Sequence, residues 1–250
     1  PITDVNPDQV QLSVSEHRLG RLHPSDLAEI IGELSSHDAA RVIHSLDDET
    51  AADALEHLDA QTQRSIIEDI GTQRAADIIE EMDSDDAADL LAELPEEHQD
   101  KLLAEMEPET AGELRGLVRY DDDTAGGMMT TDYVWIYPHR TVAATIAKIR
   151  EIAPETEFVY YLYVLDQDEK LLGVLSLRTL ILADPSANIH SIMVGDLVAA
   201  HTDTPSEDVA STIARYDLLA LPVVDPENRM LGIVTVDDAI DAIIPEKLAR

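Results

Sequence analysis

The amino-acid sequence predicts an α plus α/β chain, with a superhelix of short helices followed by a tandem pair of small α/β modules. Three observations carry this. An apolar beat runs through the first half, the pattern breaks at a Gly-Gly pair, and a segment of the second half is duplicated.

The beat has a period of twelve residues: Leu34, Leu46, Leu58, Ile70, Met82, Leu94, Met106 and Val118. An apolar pair precedes each of the first seven, from Ile30-Ile31 through Val42-Ile43, Ala54-Leu55, Ile66-Ile67, Ile78-Ile79 and Leu90-Leu91 to Leu102-Leu103. Helix-opening residues punctuate the units at Ser35-Ser36, Asp47-Asp48, Asp59, Thr72, Ser84, Pro95 and Pro108. Two helical turns with one apolar edge are unstable alone, so successive units must stack into an all-helical superhelix over residues from about 20 to 119. On the beat alone, this segment is a scaffold or spacer.

After "YDDDTAGG", Tyr120 to Gly127, the pattern changes, and Gly126-Gly127 reads as a hinge. Leu162 to Leu180 aligns without gaps to Leu221 to Ala239, 59 residues later, and Val142 to Arg150 matches Val209 to Asp217 at a spacing of 67. Each copy reads helix, strand, polar turn, strand, helix. The strands are expected at Tyr161 to Leu165 and Gly173 to Leu177, then at Leu221 to Asp225 and Gly232 to Val236.

Composition narrows the partners. Lys and Arg total 17 against 52 Asp and Glu, a formal charge of −35, which disfavours nucleic acid or an anionic lipid surface. Cations and basic proteins fit better, and adaptation to salt would give the same excess of acid. The absence of cysteine excludes disulfides, thiolate metal sites and thiol catalysis. No apolar run approaches the roughly 20 residues that span a bilayer. A chain that starts at Pro1 and stops at Arg250 is expected to be a fragment of a longer one.

Two acidic clusters stand out. In "MDSDDAADLLAEL", Met82 to Leu94, Asp85 and Asp89 are spaced i,i+4 and Asp86 and Asp89 i,i+3, which places like charges on one helical side. Acids in a first turn are favoured by the helix dipole, but four Asp within seven residues invite a cation. Asp237, Asp238 and Asp241 repeat the i,i+4 and i,i+3 spacing in the second α/β copy.

Apolar-Val-Asp, a polar turn, Gly-x-apolar-Ser/Thr and a following helix, present twice, resemble tandem cystathionine-β-synthase (CBS) domains. Preceded by the acidic superhelix and the junction "AGGMMT", Ala125 to Thr130, nearly the whole chain resembles the cytosolic region of the MgtE family of magnesium channels. The resemblance implies a right-handed-type superhelix over residues 1–126 and CBS domains at 127–187 and 188–250. It also implies a homodimer formed through the CBS domains, a transmembrane pore domain beyond Arg250, and a place at the cytosolic face of the plasma membrane. The implied Mg2+-site residues are Asp53, Asp85, Asp86 and Asp89 on the superhelix, and Glu207, Asp217, Asp237, Asp238 and Asp241 on the second CBS domain, with Ala214 and Gly127 as carbonyl donors. Dispersed carboxylates suit Mg2+, a hard octahedral ion that keeps several waters.

ATP or another adenine nucleotide is the second ligand implied. The CBS pattern Gly-x-x-Ser/Thr-x-x-Asp is kept in the second copy as Gly232, Thr235 and Asp238, whereas the first has Gly173, Ser176 and Thr179; Tyr161 is the expected contact in the cleft. No His-Glu-x-x-His, Walker loop or Gly-x-Gly-x-x-Gly occurs, and an enzyme is not expected. Three classes remain: a Mg2+-sensing gate region, a nucleotide-binding regulatory module, and a structural solenoid adaptor.

Overall fold

The computed structural model describes residues 19, 21–152 and 159–243, the side chain of Asp241 excepted. Among them no helix is long and apolar enough to cross a membrane. Packing divides the chain into two compact units: one holds the residues up to Met82 together with Ala92–Ala111, the other Asp83–Leu91 together with Gly112 onward.

The first part of the chain forms short helices: α1 (Pro24–Gly32), α2 (Ser36–Ser45), α3 (Asp48–Glu56), α4 (Ala60–Ile70), α5 (Thr72–Ile79), α6 (Ser84–Ala92), α7 (Glu96–Glu105) and α8 (Pro108–Leu117). Ser35, Asp47 and Asp59 cap α2, α3 and α4 by accepting a backbone N–H three residues on, and so satisfy amides that have no helical partner. At the start of α5 the capping position belongs to Gly71, at φ 87°, and Thr72 is the first helical residue. Within the first unit α1 packs on α3, α2 on α4, α3 on α5 and α5 on α7, so each helix finds its apolar partner two units away.

The twelve-residue beat has a second thread. Ala28, Ala40, Ala52, Ala76 and Ala88 recur at the same period and are all buried, and their small side chains let helices approach closely. Ile31, Ile43, Leu55, Ile67, Ile79, Leu91 and Leu103, the second members of the apolar pairs, are buried as well.

In the second unit two three-stranded sheets repeat one topology. The first orders β1 (Trp135–Ile136), β2 (Tyr161–Leu165) and β3 (Leu171–Ser176); the second orders β4 (Ala200–His201), β5 (Ala220–Val224) and β6 (Met230–Thr235). In each the first strand runs parallel to the middle one and the last antiparallel. Helices α9 (Val142–Ile152) and α10 (Leu177–Leu182) accompany the first sheet, and α11 (Ser206–Tyr216) and α12 (Val236–Asp241) the second. One core lies within the first module around Leu162, Val164 and Leu175; another joins Tyr163, Leu165 and Leu171 to Ala220, Val224, Met230 and Ile233 of the second.

The structure corrects the strand ends. β3 and β6 begin two residues before the expected glycines and stop one residue sooner, because Ser176 and Thr235 start the next helix and hand Leu177 and Val236 to it. The second copy's middle strand likewise spans Ala220–Val224 in place of Leu221 to Asp225. β1 and β4 were not expected, since two residues are too few to display an alternation.

The hinge expected at Gly126-Gly127 is also corrected. Ala125 and Gly126 donate backbone hydrogen bonds to Thr204 and Thr202 at 2.8 and 3.0 Å, and both glycines lie inside the second unit. A Cβ on Gly126 would sit 2.7 Å from the Tyr120 ring and one on Gly127 2.5 Å from the Asp121 carbonyl, so close approach accounts for both glycines.

Candidate metal centre

An acid-lined cavity of about 280 Å³ lies within the second unit. Three elements build it. The first turns of α6 supply Asp85, Asp86 and Asp89, the start of α12 supplies Asp238, and the loop before Gly127 supplies Asp122 and Asp123. Gly127 and Ser206 complete the parts that matter for its shape.

Each wall is fixed by local chemistry. Ala87 N–H donates to the Asp83 carbonyl at 2.8 Å, which starts α6 at Ser84 and turns Asp85 inward. The loop carrying Asp122 and Asp123 is tied to the α11 start by Ser206 N–H donating to the Asp123 carbonyl at 3.0 Å and by an isolated bridge between Thr124 and Pro205. Asp238 is oriented by the Thr235 hydroxyl, which donates to its carboxylate.

Asp85 is the unusual member. It is only 9% exposed, and its Oδ1 has no hydrogen-bond partner among the described residues. Burial drives its carboxyl well above the ordinary range, and the charges of Asp238, Asp86 and Asp83 push the same way. Two carboxylates about 6 Å apart at an effective dielectric near 20 repel by roughly 3 kcal/mol. A buried orphan oxygen among oxygen donors, with no Lys, Arg or His among the described residues of the lining, fits a hard cation such as Mg2+ and not a soft transition metal.

The structure thus brings together Asp85, Asp86, Asp89, Asp238 and Gly127 of the expected site. It adds Asp122 and Asp123, for which the run of three Asp in "YDDDTAGG" was the available signal. Glu207 on α11, Ala214, Asp217 and Asp237 are exposed and outside this lining, with Asp217 in the left-handed region at φ 52° beyond the end of α11. Asp53 is half-buried on α3 in the other compact unit. The Asp241 side chain lies outside what is described.

For the expected nucleotide residues the structure offers other work. A Cβ on Gly232 would meet the Thr130 carbonyl at 2.6 Å, because the Thr130 backbone bridges to Ile233 there. Thr235 is bonded to Asp238, and Tyr161 packs against the core shared by the two modules.

The family model of the MgtE intracellular N domain matches residues 22–123, and the CBS domain model matches 125–186 and 189–245. The chain is 46% identical over 140 residues to the magnesium transporter MgtE of Thermus thermophilus, covering 56% of this chain and 31% of that protein. It is 45% identical over 138 residues to the MgtE of Enterococcus faecalis, covering 55% and 30%. The crystal structure of the cytosolic domain of the Mg2+ channel MgtE in complex with ATP superposes with a TM-score of 0.86 at 39% identity, covering 91% of this chain and 93% of that one. The chain belongs to the MgtE family. A second crystal structure, of the soluble part of a magnesium transporter, matches at a TM-score of 0.85 and 35% identity over 91% of this chain and 90% of that one. The match to the curated MgtE relatives spans under a third of their length.

Proposed function

We propose that this chain is the cytosolic Mg2+-sensing region of an MgtE-type magnesium transporter, dimeric through its CBS domains and joined beyond Arg250 to a membrane pore. The observation that carries the reading is the buried, unpartnered Asp85 oxygen facing a cavity ringed by five further carboxylates. A bound divalent cation would give the buried Asp85 oxygen a partner and offset the mutual repulsion of the acidic lining. Asp85, Asp86 and Asp89 would hold it from α6, and Asp122, Asp123 and Asp238 from the CBS side. Asp53, Glu207, Ala214, Asp217, Asp237 and Asp241 would serve further ions, as the family resemblance implies. When the ion leaves, mutual repulsion favours separating the acidic walls, and this change is what would release the pore; imported Mg2+ would close its own route. Ion-driven switching requires unequal affinity for the two arrangements.

The test compares thermal unfolding in millimolar Mg2+ with NaCl of equal ionic strength. The wild type should gain stability in Mg2+ alone, and Asp85→Ala with Asp89→Ala should lose that gain. Equal midpoints in both salts, or the same loss in Glu96→Ala with Glu97→Ala outside the cavity lining, would reject the reading in favour of bulk charge.

An adenine-nucleotide module is the second reading. It is favoured by the ATP complex of the solved relative and by Gly232, Thr235 and Asp238 in this chain. Calorimetric titration with ATP at fixed Mg2+ separates it, since nucleotide binding kept in Asp85→Ala with Asp89→Ala, where the Mg2+ response is lost, would establish an independent site.

A further inference from the structure

Ser84, one residue before the buried Asp85, occupies the centre of a hydroxyl cluster that the cation site does not use. Its Oγ accepts the Thr131 backbone N–H at 2.9 Å, lies 2.9 Å from the Thr131 hydroxyl and stands 3.2 Å from that of Thr130. The Thr131 hydroxyl also meets the Glu113 carboxylate. One hydroxyl carries one proton, so the carboxylate takes that of Thr131 and the Ser84 proton completes the contact between the two hydroxyls.

The cluster reaches the opposite wall of the cavity through the backbone. Thr130 is 5% exposed, and it exchanges two hydrogen bonds of 2.9 Å with Ile233 on β6. β6 ends at Thr235, which holds the Asp238 carboxylate. A continuous path therefore runs from Asp85 through Ser84, Thr130–Thr131, Ile233 and Thr235 to Asp238, the charge that most opposes Asp85.

We infer that Ser84 and Thr131 form a metal-independent latch that holds the α6 carboxylates facing Asp238 against their repulsion and so sets the Mg2+ concentration at which the site fills. The inference deepens the proposed sensing role and rests on it. Both are positioning residues, since neither lines the cavity. Without the latch the facing arrangement is less populated, and apparent affinity falls by that fraction.

The experiment measures the Mg2+ midpoint of ion-specific thermal stabilisation in the 250-residue chain, with hydrogen exchange of the Thr131 amide read in the metal-free state. Ser84→Ala should expose that amide to exchange and raise the Mg2+ midpoint about three- to tenfold. Ser84→Thr, which keeps the γ-oxygen, should restore both. Ser35→Ala removes the α2 cap and should lower the melting temperature without moving the midpoint. A folded Ser84→Ala with the wild-type midpoint, or an equal shift in Ser35→Ala, overturns the latch and leaves Mg2+ sensing intact. A wild type with no Mg2+-specific stabilisation overturns both.

Discussion

The two α/β modules keep one register down to the position of a single irregularity, between Val164 and Leu165 in the first and Val223 and Val224 in the second. Their last strands also share a glycine against which another backbone segment lies, Val194 at Gly173 and Thr130 at Gly232. They part three residues past the end of the last strand. Ser176 accepts the Thr179 N–H at 3.1 Å, and the hydroxyls of the two meet at 2.8 Å, which makes a neutral cap. Thr235 instead donates to Asp238, and that carboxylate faces the acids of α6. The frame is shared, and Asp238 where the first copy has Thr179 gives the second a carboxylate on the acidic cavity that the first lacks.

The largest effect should come from disturbing the shared frame. Gly232→Ala places a methyl 2.6 Å from a backbone carbonyl and should cost about 1–3 kcal/mol, or several degrees of melting temperature. Gly173→Ala should cost less, since its backbone contact, the Val194 carbonyl, is longer at 2.9 Å, and its shortest contact, 2.8 Å, is to the Met193 sulfur, which can move. A thermal scan giving the reverse order would break the account of these glycines.

Next comes the difference itself. At a Mg2+ concentration about a hundredfold above the dissociation constant, binding contributes about 2.7 kcal/mol, and Asp238→Asn should remove half or more of it. Thr179→Asn, the matching change in the first copy, should remove none. Equal losses by differential scanning calorimetry would deny the second copy its special role.

The pH dependence sharpens the same point. Asp85 has a folded value raised by burial and then by Asp238, above an ordinary value of 3.8, so between the two values the folded state holds more protons than the unfolded. Its penalty is therefore present above the raised value and fades as pH falls through it. Metal-free stability should rise on mild acidification, and Asp85→Asn should flatten the Asp85 part of that rise while raising the metal-free melting temperature near neutrality. Identical slopes in the two proteins would contradict the burial argument.

The smallest effects concern the neutral cap. Ser176→Ala should cost about 1 kcal/mol. Thr179→Asp, exposed and without an acidic wall described opposite it, should change stability by no more than about 0.5 kcal/mol and leave the Mg2+ midpoint alone.

Much of this was legible in the sequence because it is periodic. A twelve-residue beat and a 59-residue repeat report packing that recurs, so the helices and both α/β copies were readable from Leu34, Leu46 and their successors. The strands at Trp135–Ile136 and Ala200–His201 were not, because they are defined by parallel partners distant in sequence. The same limit applies to the site. Spacing could place Asp85, Asp86 and Asp89 on one side of a helix, but only tertiary packing decides that Asp85 is buried and that Asp122 and Asp123 join it. Gly126-Gly127 misled for a related reason: a glycine pair looks alike whether it bends or is pressed against Tyr120 and Asp121.

The most direct test is crystallographic. Mn2+, an oxygen-preferring octahedral stand-in for Mg2+, can be introduced into crystals of the 250-residue chain and located by anomalous diffraction. The account predicts a peak inside the cavity bounded by Asp85, Asp86, Asp89, Asp122, Asp123 and Asp238, lost in crystals of Asp85→Ala with Asp238→Ala. Peaks confined to other acidic surfaces, with that cavity empty at saturating Mn2+, would contradict it.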